Sequence, residues 1–134
     1  MNKLRVTFLV LLFFTVDAVS CEVFPWNQVV NNSERFFENA DVVFLGKLDY
    51  STRTDEIEQI ATFSIEKVFK GGDLLTEVVT IKNTLWSSCG MLIEPIGKEF
   101  YVFANQGGSG LYFKHDYPSF VQYSYAIEHG LNLK

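Results

Sequence analysis

Cysteine, proline, histidine and methionine are all scarce. The 134 residues hold two cysteines, three prolines, two histidines and two methionines. Two cysteines are too few for a disulfide-dense scaffold or an all-cysteine zinc site. His115 and His129 have no second ligand at a useful spacing, which leaves the chain without a metal site or cofactor of its own. Positive charge is also short: 11 basic against 16 acidic side chains give a net charge of −5. Such a chain repels polyphosphate and carries no polybasic segment, which excludes nucleic acid and an anionic membrane surface as partners. The one long apolar run, Val6–Val16, falls well short of the roughly 20 residues that a helical span needs. No Ser-His-acid or Cys-His constellation is legible, and the Gly-rich stretch 107–110 lacks the Lys-Ser/Thr of a phosphate loop, so the reading is of a non-enzyme. Internal repeats, linkers and low-complexity segments are likewise missing.

What is present is aromatic and β-prone. Thirteen phenylalanines, six tyrosines and two tryptophans supply a packed core. The first 20 residues have the form of a secretory signal: Lys3 and Arg5, then the apolar run, then Ala18 and Ser20 at the small-residue positions before Cys21. Their loss makes the remaining single domain, 21–134, slightly more acidic. The expected location is outside the cell, or the periplasm of a Gram-negative bacterium, with no membrane contact after processing. Two cysteines in an exported chain imply one disulfide, Cys21–Cys89. Closing a loop of roughly 70 residues, it would contribute about 4 kcal/mol. Acylation of Cys21, the lipoprotein alternative, would leave Cys89 unpaired, and Ala18 stands where a lipobox usually has a larger aliphatic residue. Asn31-Asn32-Ser33 is a formal glycosylation sequon.

Along the chain, residues 22–28 read as extended around Pro25. Apolar residues at 29, 30, 36, 37 and 40 have helical spacing. Five β-rich stretches follow, at 41–50, 57–71, 77–83, 98–105 and 109–116. Residues 119–131 have the spacing of a short closing helix that stops at Gly130. Five strands with a helix at each end predict a mainly β fold: a five-stranded, OB-fold-like Greek-key barrel with flanking helices. Trp26 and Trp86 read either as rim packing or as a partner-binding pair.

Three stretches carry a resemblance. "FENADVVFLGKL" (37–48), "FSIEKVFKG" (63–71) and "SSCGMLIEPIGKEFYVFA" (87–104) resemble, in order, the helix-to-strand junction, the long second strand and the Cys-Gly segment of the tissue inhibitors of metalloproteinases and related netrin-like modules. Cys21 and Cys89 fall on the family's bonded pair. The resemblance implies an N-terminal inhibitory domain in which the free amine and carbonyl oxygen of Cys21 chelate the zinc of a target metalloprotease. A neutral amine and a carbonyl are suitable donors for the open position of a catalytic zinc, and they would displace its attacking water. The implied inhibitory ridge is Cys21, Glu22, Val23, Phe24 and Pro25, with Ser87 and Ser88 alongside; the zinc belongs to the protease. Val23 stands where the animal inhibitors have another cysteine, and their remaining disulfides are missing. Glu22 would enter the often apolar S1′ pocket, where an unpaired carboxylate costs several kcal/mol. The alternative is a non-inhibitory netrin-like module that binds another secreted or periplasmic protein.

Overall fold

A computed structural model describes residues 25–54, 58–85, 91–108, 110–112 and 119–134. Among them the order is α1 (Pro25–Asn31), α2 (Ser33–Asn39), β1 (Val42–Arg53), β2 (Glu58–Lys70), a 3-10 turn (Gly72–Leu74), β3 (Val78–Thr84), β4 (Glu99–Gly107), β5 (Gly110–Tyr112), β6 (Phe120–Gln122) and α3 (Tyr123–Glu128). The pairings β1–β2, β2–β3, β3–β5, β5–β4 and β4–β1 close a five-stranded barrel, as the strand pattern predicts. Every pairing in it is antiparallel except β3–β5, a parallel seam of two residue pairs, Ile81 with Leu111 and Lys82 with Tyr112. β1 occupies one edge of β4 over residues 99–104. The other edge is shared by β5, at 105–107, and β6, at 100–102.

Two cores explain the sequence. Inward residues fill the barrel, among them Val42, Phe44 and Leu48 of β1, Ala61 and Phe63 of β2, Val79 and Ile81 of β3, and Phe100, Val102 and Ala104 of β4. A relay of edge-to-face rings crosses this interior: Phe44–Phe63 at 5.8 Å, Phe63–Phe100 at 6.2 Å and Phe100–Phe120 at 6.2 Å. The alternate residues Val43, Tyr101, Phe103 and Val121 point outward and are covered by Val29 of α1, Ala126 of α3 and Leu131. Covering both faces turns the usual alternation into a continuous apolar run, which is why "FYVFA" reads as it does. Three register shifts in the β1–β2 ladder, between Val43 and Phe44, Leu45 and Gly46, and Leu48 and Tyr50, coil the two long strands enough to close the barrel.

The structure corrects three local expectations. Pro25 opens a helix instead of an extended segment: at the first helical position its missing N–H costs nothing and its fixed φ fits. The expected helix over 29–40 is divided at Asn32, whose side-chain amide bonds the Gln28 carbonyl at 3.0 Å. Of the expected fifth strand, 109–116, Gly110–Tyr112 is a strand, and residues 109 and 113–116 lie outside the described residues. Phe120–Gln122 is a strand, because pairing with β4 buries Phe120 inside the barrel and Val121 outside it. α3 therefore starts at Tyr123 and runs to Glu128, with the expected stop residue, Gly130, just beyond its C-cap His129. With φ at 88°, Gly130 donates to the Ile127 carbonyl at 3.1 Å, and Leu131 N–H reaches Ala126 at 2.8 Å.

Candidate functional site

Of the residues predicted to form a protease-binding ridge, Cys21, Glu22, Val23, Phe24, Ser87, Ser88 and Cys89 lie outside the described residues, as does Trp86. Pro25, the last of the ridge, is the first residue of α1. The site is therefore bounded by what holds its two flanks. On the N-terminal flank, Trp26 packs against both the barrel interior and the outer core. Its ring lies 5.4 Å from that of Tyr125, tilted by 56°. Trp26 thus has a packing role, with its indole Nε1 enclosed and without a hydrogen-bond partner among the described residues. Val29, one helical turn on, is fully buried.

The second flank is held by a buried amide pair. Gln59 of β2 and Asn83 of β3 are 2% and 5% exposed, at inward positions of strands whose other inward residues are apolar. The Gln59 amide acts as a substitute peptide group for Ile93. Its Nε2 donates to the Ile93 carbonyl at 2.9 Å, and its Oε1 accepts from Ile93 N–H at 2.9 Å. Nε2 also donates to Ser51 Oγ at 2.6 Å, and Oε1 also accepts from Asn83 Nδ2 at 2.9 Å. Asn83 Nδ2 spends its second proton on the Met91 carbonyl at 2.8 Å. Both N–H protons and both acceptor positions of Gln59 are therefore used, and this fixes which way its amide faces. Met91 itself rests against the barrel interior, as does Trp26 on the other flank. Farther on, Gly97 N–H bonds the Leu48 carbonyl at 2.7 Å and ties the segment back to β1.

Two of the sequence stretches singled out above meet in the fold. Lys70, in "FKG", donates to the carbonyls of Phe37 at 2.9 Å and Glu38 at 3.0 Å. It thereby caps the C-terminal end of α2, where a cation is favoured. Gly71 has φ of 71°, and a Cβ there would overlap the Asp41 carbonyl oxygen and come within 2.8 Å of Val42 Cγ1. Asp41 in turn donates its N–H to Ala104 at 3.0 Å and accepts Gln106 N–H on its carboxylate at 2.8 Å. The "KG" turn and the "NADV" junction are thus two halves of one structural joint.

Charge is arranged on the outer surface. The Lys82–Glu58 ion pair spans β3 and β2 at 2.8 Å. Glu66, opposite the register shift in β1, has its carboxyl held above the ordinary 4.5 by burial, by a hydrogen bond with Glu99 and by that group's charge, against an opposing pull from Lys47. Ser64 Oγ donates to Asp49 Oδ2 nearby. Burial pushes the Tyr101 phenol up; its oxygen accepts Leu133 N–H at 3.4 Å. Among the described residues no three His, Cys, Asp or Glu side chains gather as a metal-binding group. His129 stacks on Tyr125 with ring centroids 3.9 Å apart, and His115 lies outside the described residues. No described helix is long and apolar enough to cross a membrane.

No protein-family model matches the chain, and no curated protein matches it in sequence.

Gln59, Asn83, Lys70 and Asp41 are the residues that reading the sequence passed over. Parity could have found the first two. Gln59 alternates with Ala61 and Phe63, and Asn83 with Val79 and Ile81, so both had to face inward.

Proposed function

We propose that the chain is exported, loses residues 1–20, and acts as a metalloprotease inhibitor of the kind it resembles. Cys21 would present its amine and carbonyl to the protease zinc, held by a bond to Cys89. The supporting observation is the way the flanks are fixed on an OB-fold-like barrel. Trp26, immediately after the N-terminal ridge residues, and Met91, two residues after Cys89, both rest on the barrel interior. A rigid scaffold of this kind lowers the ordering cost of binding and lets a short backbone hook compete with substrate. Chelation needs an unblocked α-amine directly before the Cys21 carbonyl. N-terminal sequencing of the exported protein, followed by titration against a panel of zinc endopeptidases, tests the reading. A start at Cys21 and stoichiometric inhibition of at least one protease are expected. A different start, or an acylated Cys21, sinks it.

A non-inhibitory module that binds a secreted or periplasmic protein is the second reading, and the Lys70–Gly71–Asp41 joint favours it. Two of the three stretches behind the resemblance meet there to hold α2, β1 and β2 together. They therefore speak for a shared barrel more than for a shared target. Glu22 points the same way, since its carboxylate suits an apolar S1′ pocket poorly. Inhibition of no protease by a correctly processed protein would favour this module.

A further inference from the structure

We propose that Asn31 is an acceptor for an N-linked glycan; this rests on the export part of the reading above, along a eukaryotic secretory route, and is independent of protease inhibition.

Asn31-Asn32-Ser33 is the single Asn-X-Ser/Thr sequence in the chain, and its middle residue is not proline. A glycan is a bulky, hydrated group, so the fold must leave its attachment point in solvent. Asn31 meets that demand. It is the last residue of α1, and it is exposed together with its neighbours Asn27 and Asn32. The apolar residues of the same two helices, Val29, Val30 and Phe36, turn to the outer core instead. Asn32, at φ −120° and ψ 25°, separates α1 from α2. The sequence therefore lies at an exposed corner between two short helices.

The Asn31 amide is also dispensable to the fold. Its Nδ2 donates one proton to Asn27 Oδ1 at 3.1 Å, an exposed contact one helical turn back. No described residue accepts the other proton. The turn itself is held by Asn32, whose N–H and Nδ2 both donate to the Gln28 carbonyl at 3.0 Å. In the transfer, Asn31 Nδ2 attacks the anomeric carbon of a lipid-diphosphate-linked oligosaccharide. The new N–C bond forms as the C–O bond to the diphosphate breaks. The lipid diphosphate leaves with the bonding electron pair, and one Nδ2 proton passes to solvent. The product amide keeps one N–H, enough for the bond to Asn27. The attached glycan would stand over the α1–α2 corner and keep that side clear of protein partners.

The test expresses the full chain in a eukaryotic secretory cell. The protein in the medium is measured by intact-mass spectrometry before and after treatment with a peptide N-glycosidase. The expected result is a mass above that of the polypeptide, lost on treatment, with an aspartate in place of Asn31 in the peptide map. Asn31→Gln and Ser33→Ala should each lose the excess mass. Asn32→Gln, which leaves the acceptor sequence intact, should keep it. Secreted protein at the bare polypeptide mass overturns the proposal, and so does an excess mass that Asn31→Gln retains. The mature chain behind a leader of known activity runs in parallel. Glycosylated product from that leader alone defeats the export reading and leaves the acceptor site standing. Bare product from it defeats the acceptor site, whatever the native leader does.

Discussion

Replacing Gly71 by alanine should destabilise the domain far more than the same change one residue on. Gly71 sits at φ 71°, where a residue with a Cβ costs about 1–2 kcal/mol. The added methyl would also overlap the Asp41 carbonyl. That carbonyl cannot swing aside cheaply, because Asp41 is held through its N–H to Ala104 and its carboxylate to Gln106. Relief would have to come from the β2 end, at the expense of the Lys70 bonds to Phe37 and Glu38, worth about 1 kcal/mol each. The expected loss is about 3–4 kcal/mol, a large part of the roughly 5–15 kcal/mol typical of a domain. It corresponds to a fall in Tm on the order of 12–16 °C. Gly72 is the control: its φ is not positive and the nearest atom to an added Cβ is Val68 Cγ1 at 3.5 Å, so Gly72→Ala should lose less than about 1 kcal/mol. Urea unfolding followed by tryptophan fluorescence measures both, with equal slopes showing that the unfolded state is unchanged. Equal stability of the two variants would refute the joint between "KG" and "NADV".

Two further outcomes are expected. Glu66 binds its proton more tightly in the folded chain than in the unfolded one, so the stability it contributes is complete below pH 4.5 and is lost as the pH rises through its raised folded value. Glu66→Gln should therefore melt higher than the unmodified protein at pH 7 and no higher below pH 4.5; a difference that persists or grows in acid would contradict the shared-proton account with Glu99. Glu22→Thr should tighten inhibition of proteases with an apolar S1′ pocket by about tenfold or more, since it removes a carboxylate that would be buried unpaired. Inhibition constants that stay level or rise would show that Glu22 does not enter that pocket.

The five barrel strands were legible because barrel strands carry their signal locally. "DVVFLGKL" and "KEFYVFAN" are rich in β-branched and aromatic residues, and the structure pairs them over 42–47 and 99–104. What the sequence hid depends on long-range partners. "SFVQYSYAIE" has apolar residues at helical spacing, and only the free edge of β4 at residues 100–102 makes Phe120–Gln122 a strand. Strand parity puts Gln59 and Asn83 on the inward face, but their partners, Ile93 and Met91, come from farther along the chain. Pro25 disfavours helix at the residue before it, yet its fixed φ suits the first position of a helix, and only the fold decides between the two. Of the candidate ridge, every member but Pro25 lies outside the described residues, and the fold describes only its flanks at Trp26 and Met91.

The inhibitor reading depends on one chemical group, the free amine of Cys21. Its most direct measurement is the inhibition constant of the mature protein against a susceptible zinc endopeptidase, compared with a variant carrying one alanine before Cys21. The extension moves the amine away from the carbonyl with which it would chelate, and leaves the barrel and the proposed Cys21–Cys89 bond untouched. Loss of inhibition with an unchanged melting temperature is the predicted result. Full inhibition by the extended protein would contradict chelation through Cys21 and shift the binding to another surface of the barrel.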